Sequence, residues 1–372
     1  MGIGAKKGKR GRTDLYQDNR KYIWIRADGN KEIASGHLMR TLSIAFELKK
    51  RGAGVQYILA DETSLSWLRR MEKLHREGWE ELPAAVLELP YGNPDAELPL
   101  LKDMLDREKE RPDLILVDSY AVSSAWMGEL RGLGVPVACI DDEMRTDLPA
   151  DLVVNYDPDA EEQIEEKLAA QNTAAAMIGA GREDGKFLLG PSYAPLRAQF
   201  EDLTPMVRQQ VRRIFISTGG TDPYKAAGAL EQLIKGLGLE AVVMAPGYPP
   251  ISQAAKAMQS CDLAVSAAGT TLYELCAAGV PTLCYSMADN QEIFAKAMER
   301  AGAVSYLGDI RMSRGIEPKT EQILRWVEEH RDPSGYAVRC TEARRMHQCT
   351  DGKGAGRIAE AILSAADVSR EC

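Results

Sequence analysis

From residue 22 onward, short apolar runs alternate with longer segments in which apolar residues recur every three or four positions. That is the pattern of parallel strands joined by covering helices. YIWIRAD (22–28) reads as the first strand, and HLMRTLSIAFELKKRG (37–52) as a helix that turns Leu38, Leu42, Ala45, Phe46 and Leu48 toward a core. VQYILA (55–60), AAVLEL (84–89), DLILVD (113–118), VPVACIDD (135–142) and DLVVNY (151–156) continue the strands, DLVVNY closing the series; helices are expected at 95–108 and in SAWMGELRGLG. GPSYAPLRAQF (190–200) reads as a connector. A second series follows: strands RRIFIST (212–218), LEAVVMA (239–245), DLAVSA (262–267) and PTLCYS (281–286), with helices at 223–236, 251–259, 270–278 and 290–301 and a last one at 354–366.

The fold class this predicts is α/β, two doubly wound Rossmann-like domains in tandem: an N-terminal domain at 21–189, a connector at 190–211 and a C-terminal domain at 212–372. A chain of 372 residues suits two cores. Ligands of such sheets lie beyond the carboxyl ends of the strands, so the cleft between the domains is the expected site.

Composition narrows the class. No apolar run approaches the roughly 20 residues a membrane span requires, and the N-terminus lacks the apolar stretch of a secretory signal, which together predict a cytoplasmic protein. The net charge of −9 disfavours a nucleic-acid partner. Residues 1–20, with six basic against two acidic side chains, read as a disordered, solubilising tail. Seven cysteines are scattered without a Cys-x-x-Cys pair, so they read as core residues or free thiols rather than metal ligands. Asp157-Pro158-Asp159 reads as a loop entering a helix, and the acids behind it as a solvated helical face. No metal and no cofactor is expected.

Of four histidines, His75, His330 and His347 lie in charged helical stretches and read as solvated surface residues. His37 is different: it follows Gly36 where a strand hands over to a helix, at the edge where such sheets do their chemistry. Two readings stay open there, a helix start beside a flexible glycine and a neutral imidazole offered to substrate. In the second half, Gly219, Gly220 and Thr221 of STGGTDP, and Gly269, Thr270 and Thr271 of SAAGTTLYELCAAGVP, each follow a strand and open a helix. Such loops bring backbone amides close to an anion, and two on one edge suit a diphosphate. Glu274 suits ribose hydroxyls or simply the positive helix end, and ADNQ (288–291) adds polar groups.

Taken in order, IRAD, GHLMRTLSIA, VDSY, IDDE, LLGPSYAPLR, STGGTDP, SAAGTTLYELCAAGVP and ADNQ resemble the UDP-sugar hydrolases of pseudaminic acid biosynthesis and their spore-coat polysaccharide relatives. The resemblance spans residues 22–366 and implies a two-domain GT-B-like fold. It also implies metal-independent hydrolysis of UDP-2,4-diacetamido-2,4,6-trideoxy-β-L-altropyranose to UDP and free sugar. It makes His37 the base that activates water, with inversion at the anomeric carbon, and Tyr120 and Asp118 its helpers. Asp141 and Asp142 become the loop acids; Gly36, Arg26 and Arg197 join the substrate-binding residues. The nucleotide falls to Gly219, Gly220, Thr221, Gly269, Thr270, Thr271, Glu274, Asn290 and Gln291.

One departure from that pattern stands out. After LEAVVMA the chain runs through PGYPPISQAAKAMQSC directly to DLAVSA, where the family has a further strand and helix, so a short second sheet or an unpaired edge is expected. Two rival readings accompany hydrolysis: a glycosyltransferase in which His37 deprotonates an acceptor, and a nucleotide-sugar binding protein without catalysis. The expected partner is a small nucleotide-sugar; the oligomeric state is open.

Overall fold

The computed structural model describes residues 20–31, 33, 35–75, 80–107, 111–142, 145, 148–170, 187–249 and 251–368. The expected basic tail lies outside them apart from Arg20. The chain forms two parallel α/β sheets, as its apolar pattern predicts. The first takes β1 (Tyr22–Ala27), α1 (Gly36–Lys50), β2 (Gly54–Leu59), α2 (Glu62–His75), β3 (Ala84–Val86), α3 (Pro94–Arg107), β4 (Leu114–Asp118), α4 (Ser124–Gly132), β5 (Val137–Ile140), β6 (Leu152–Asn155), α5 (Ala160–Ala170) and β7 (Phe187–Leu189). Its strand order is β3-β2-β1-β4-β5-β6-β7. DLVVNY therefore does not close the series: the three-residue β7 adds to β6 in register, with Val154 opposite Leu188.

The second sheet uses β8 (Arg213–Ser217), α6 (Ala226–Gly236), β9 (Glu240–Met244), α7 (Ala254–Gln259), β10 (Leu263–Ala267), α8 (Thr271–Ala278), β11 (Thr282–Ser286), α9 (Asp289–Arg300) and β12 (Ser305–Asp309). The order is β12-β11-β10-β8-β9, five strands with β9 at the edge, as the short stretch after LEAVVMA implies. Three helices complete the chain: α10 (Thr320–Arg331), α11 (Gly335–Cys349) and α12 (Gly354–Val368).

Strands β1, β4, β10 and β11 are buried nearly end to end, because a parallel sheet is covered on both faces. α12 follows the second sheet in sequence yet packs on α1 of the first, where Ile358, Ala359 and Ile362 join Leu38, Leu42 and Ala45 in one core. Gly354 opens α12 against the connector, where a Cβ would run into the Ala194 carbonyl. Lys21 reaches the far end of the same helix, donating to Ala366 O at 3.0 Å.

Winding reverses between β1 and β4 in the first sheet and between β8 and β10 in the second. At such a switch point the loops leave in opposite directions and open a crevice beyond the strand ends.

Candidate functional site

The β1/β4 crevice holds a cluster of side chains from three elements. α1 starts at Gly36, where an added Cβ would meet open space, and delivers His37 and Arg40 from one face at a spacing of three. Asp118 ends β4. Its Oδ1 lies 2.6 Å from His37 Nδ1, and its two oxygens accept from Arg40 Nε at 2.7 Å and Nη2 at 2.6 Å. His37 and Asp118 are both buried, 4 % and 1 % exposed.

Burial opposes ionising Asp118, but Arg40 and His37 beside it prevail and hold the carboxyl down at about 2. An ionised carboxylate only accepts, so Nδ1 is the ring nitrogen that donates to Asp118, which in the neutral imidazole leaves Nε2 as the acceptor. That Nε2 has no hydrogen-bond partner among the described residues. Arg40 Nη2 also approaches Nδ1 at 3.2 Å; both are donors, so their meeting is bridged by the shared Asp118 oxygen.

Arg40 ties this pair to the rim. Its Nη1 donates to Asp142 Oδ2 and to Tyr156 OH, each at 2.7 Å. Tyr120, half exposed at 51 %, donates its hydroxyl to the same Asp142 Oδ2 at 2.9 Å and sets its ring edge-on to His37 at 4.5 Å between centroids. Burial and then Asp142 keep the Tyr120 phenol protonated well above its ordinary range. Next to the cluster, burial followed by Asp142 and Asp159 pushes the Asp157 carboxyl up to about 7 against the pull of Arg40.

The three site residues named for the first sheet's reaction, His37, Tyr120 and Asp118, thus come together. Arg26 does not join them. It is 1 % exposed, with its guanidinium forked onto Glu97 at 2.9 and 2.6 Å and onto Asp28 at 2.5 Å. It is a buried structural cation. Of the loop acids, Asp142 faces the cluster, whereas Asp141 turns inward and accepts from Arg145 N and Nε at 2.6 and 2.9 Å. From sequence, no site role falls to Arg40 or Tyr156, and Asp157 reads only as part of a loop entering a helix.

On the second sheet, the β8 loop carries Gly219 at φ +72°, a left-handed conformation suited to glycine. The start of α6 is not the open anion site its sequence suggested. Asp222 accepts from Ala226 N at 2.8 Å and Ala227 N at 3.1 Å and so fills that helix end. Gly219 N donates to Ser217 Oγ at 3.2 Å; the Gly220, Thr221 and Thr270 amides have no protein acceptor among the described residues. Gly220, Thr221 and Thr270 are exposed, Gly269 is partly so and Thr271 is buried.

Glu274 stands in the first turn of α8, and Arg197 of the connector grips its Oε1 from Nη2 at 2.6 Å and Nε at 3.1 Å. Asn290 is exposed at the start of α9, while Gln291 Oε1 accepts from Met287 N at 2.9 Å and shapes the loop.

Two of the other histidines differ from expectation, while the side chain of His75 lies outside the described residues. His330 is 5 % exposed: its Nδ1 meets Trp326 O at 2.7 Å and its Nε2 meets Glu342 at 3.0 Å, because α11 folds over α10. His347 is held at 3.0 Å from Ala277 O. Among the described residues no group of three His, Cys, Asp or Glu is arranged to hold a metal, and no helix is long and apolar enough to cross a membrane.

No family model matches the chain. It is 25 % identical over 368 residues to the spore coat polysaccharide biosynthesis protein SpsG of Bacillus subtilis, covering 91 % of this chain and 96 % of that protein. Over 133 residues, 32 % of this chain, it is 27 % identical to the Helicobacter pylori pseudaminic acid cytidylyltransferase and UDP-2,4-diacetamido-2,4,6-trideoxy-beta-L-altropyranose hydrolase, of which the match covers 25 %. Among solved structures, UDP-GlcNAc 2-epimerase from Neisseria meningitidis bound to UDP-GlcNAc superposes with a TM-score of 0.61 at 15 % identity, covering 92 % of this chain and all of that one. The glycosyltransferase of kitacinnamycin superposes at 0.57 and 15 % identity, covering 93 % and 99 %. The chain therefore has the two-domain GT-B fold, shared with glycosyltransferases and epimerases, and has relatives named for spore-coat polysaccharide and pseudaminic acid biosynthesis.

Proposed function

We propose that this protein hydrolyses a UDP-linked diacetamido-trideoxyhexose, of the UDP-2,4-diacetamido-2,4,6-trideoxy-β-L-altropyranose type, to UDP and the free sugar. The observation that carries the reading is the His37 imidazole, fixed through Nδ1 on Asp118 at the carboxyl end of β4, with Nε2 unbonded among the described residues. That is the arrangement of a general base whose tautomer is set from behind.

In this mechanism a water is held between His37 Nε2 and the anomeric carbon. As the water oxygen bonds to carbon, its proton passes to Nε2, the bond from carbon to the phosphate oxygen breaks with inversion, and the electron pair leaves on the diphosphate. Asp118 balances the imidazolium that forms. A positioned general base contributes about 10²–10⁴-fold. The free amides of Gly220, Thr221 and Thr270 supply donors for charge growing on the departing diphosphate. UDP leaves readily at neutral pH, so a dedicated acid is not required. Glu274, with Arg197 holding one oxygen, keeps its other oxygen for ribose hydroxyls.

The same dyad would deprotonate an acceptor hydroxyl, and the glycosyltransferase among the structural neighbours makes that the second reading. Incubation with the UDP-diacetamido-trideoxyhexose and no acceptor, followed by mass spectrometry, separates the two. Free sugar stoichiometric with UDP is expected, and turnover that begins only when an acceptor is added would replace hydrolysis by transfer. His37→Ala is expected to bind UDP normally without turnover.

A further inference from the structure

The catalytic cluster sits on the first sheet and the nucleotide loops on the second, and one side chain joins them. Tyr273 lies in the first turn of α8, between Thr271 of the glycine loop and Glu274, and is 2 % exposed. Its hydroxyl crosses to the other sheet and donates to the Tyr156 carbonyl at 2.8 Å. The Tyr156 ring meets Tyr273 edge-on at 5.6 Å, and its own hydroxyl accepts from Arg40 Nη1 at 2.7 Å. Arg40 holds Asp118, and Asp118 holds His37. On its other side Tyr273 packs on Phe294 at 5.1 Å, one turn along α9 from Asn290 and Gln291. Burial keeps both phenols protonated, so these hydroxyls remain neutral hydrogen-bonding groups.

We infer that Tyr273 is a positioning residue that couples occupancy of the nucleotide loops to the orientation of His37, through Tyr156, Arg40 and Asp118. This inference rests on the proposed reading of the two sites. A ligand that draws in the Gly269–Thr271 loop moves the first turn of α8, and a fully buried hydroxyl bonded across the crevice transmits that shift to the backbone of Tyr156. A link of contiguous hydrogen bonds and packed rings has physical content only if breaking it uncouples the sites.

Tyr273→Phe removes the crossing hydrogen bond and keeps the ring. The full-length variant is compared with wild type by UDP calorimetry, by turnover of the UDP-diacetamido-trideoxyhexose, and by ¹⁵N NMR of the histidine rings during UDP titration. Expected are a UDP affinity changed by no more than the coupling itself, because the coupling is reciprocal, and a kcat lower by roughly 2- to 30-fold, the span of coupling energies seen for such links. The UDP-induced shift of the His37 ring nitrogens should fall by half or more. Tyr156→Phe breaks the link at Arg40 and should reproduce the loss, and the double variant should be no worse than either single one.

A kcat that holds while only the melting temperature drops, or an undiminished His37 shift, overturns the inference and leaves the hydrolase reading intact. Wild type that binds no UDP overturns both. Wild type that binds UDP and shifts His37 but never releases sugar overturns the hydrolase reading alone, with the His37 shift in Tyr273→Phe still deciding the coupling.

Discussion

Asp118 Oδ1 lies 2.6 Å from His37 Nδ1, although the two residues are 81 positions apart. Their meeting follows from topology: β1 and β4 are adjacent strands at the reversal of winding, so the residue that ends β4 faces the helix that follows β1. Because Arg40 occupies the other side of the same carboxylate, Asp118 stays ionised and His37 stays in one tautomer.

Asp118→Asn tests this assignment. An amide can donate to Nδ1, which favours the wrong tautomer and moves the proton onto Nε2 where the water must be deprotonated. A kcat loss of about 10²–10⁴-fold is expected, with UDP affinity measured by calorimetry unchanged. Retention of more than a tenth of wild-type kcat would remove Asp118 from the mechanism.

Arg40→Met is expected to be costly in stability as well as activity. The guanidinium, 11 % exposed, is the shared cation of Asp118 and Asp142, and its removal leaves buried carboxylate charge unbalanced. A loss of about 3–5 kcal/mol is expected for breaking such a pair on one side, read from the urea midpoint at constant slope. Arg40→Lys should recover part of the stability and little of the kcat, because one ammonium cannot replace the fork that holds both Asp118 oxygens.

Much of this architecture is legible in the sequence. The buried strands announce themselves as apolar runs, and the Gly36-His37 step marks the right edge. What escaped has physical causes. β7 has three residues, and SYLGD of β12 carries a glycine and an aspartate, so neither shows a strand pattern. His330 reads as solvated because its neighbours in sequence are charged, but its partner Glu342 is on the next helix and only packing brings them together. Arg40 had a readable signal, its spacing of three from His37. Which of Asp141 and Asp142 faces the site had none, since adjacent residues at a strand end point opposite ways.

Glu274→Ala should weaken UDP by roughly tenfold, the worth of a hydrogen bond to a charged group. The sharper readout is 2′-deoxy-UDP. If the carboxylate holds ribose hydroxyls, wild type prefers UDP and the variant binds the two nucleotides alike. An equal drop for both would instead mean that Glu274 serves only to hold Arg197 in place.

Asp157 sets a pH dependence whose sign can be worked out. Its folded-state carboxyl is raised to about 7 by burial and by Asp142 and Asp159, while in the unfolded chain it titrates near 4. Below the unfolded value both states are protonated and Asp157 contributes nothing. Between pH 4 and 7 the unfolded state loses its proton first, so stability falls as pH rises, and above 7 the full cost persists. Asp157→Asn removes that ionisation. Partial exposure of the loop reduces the effect, so the variant should be more stable than wild type by on the order of 2 kcal/mol at pH 8 and equal to it at pH 4. Urea melts at the two pH values measure the difference; a gain of the same size at both would show that the amide acts through new hydrogen bonds and that the carboxyl is not held protonated beside Asp142.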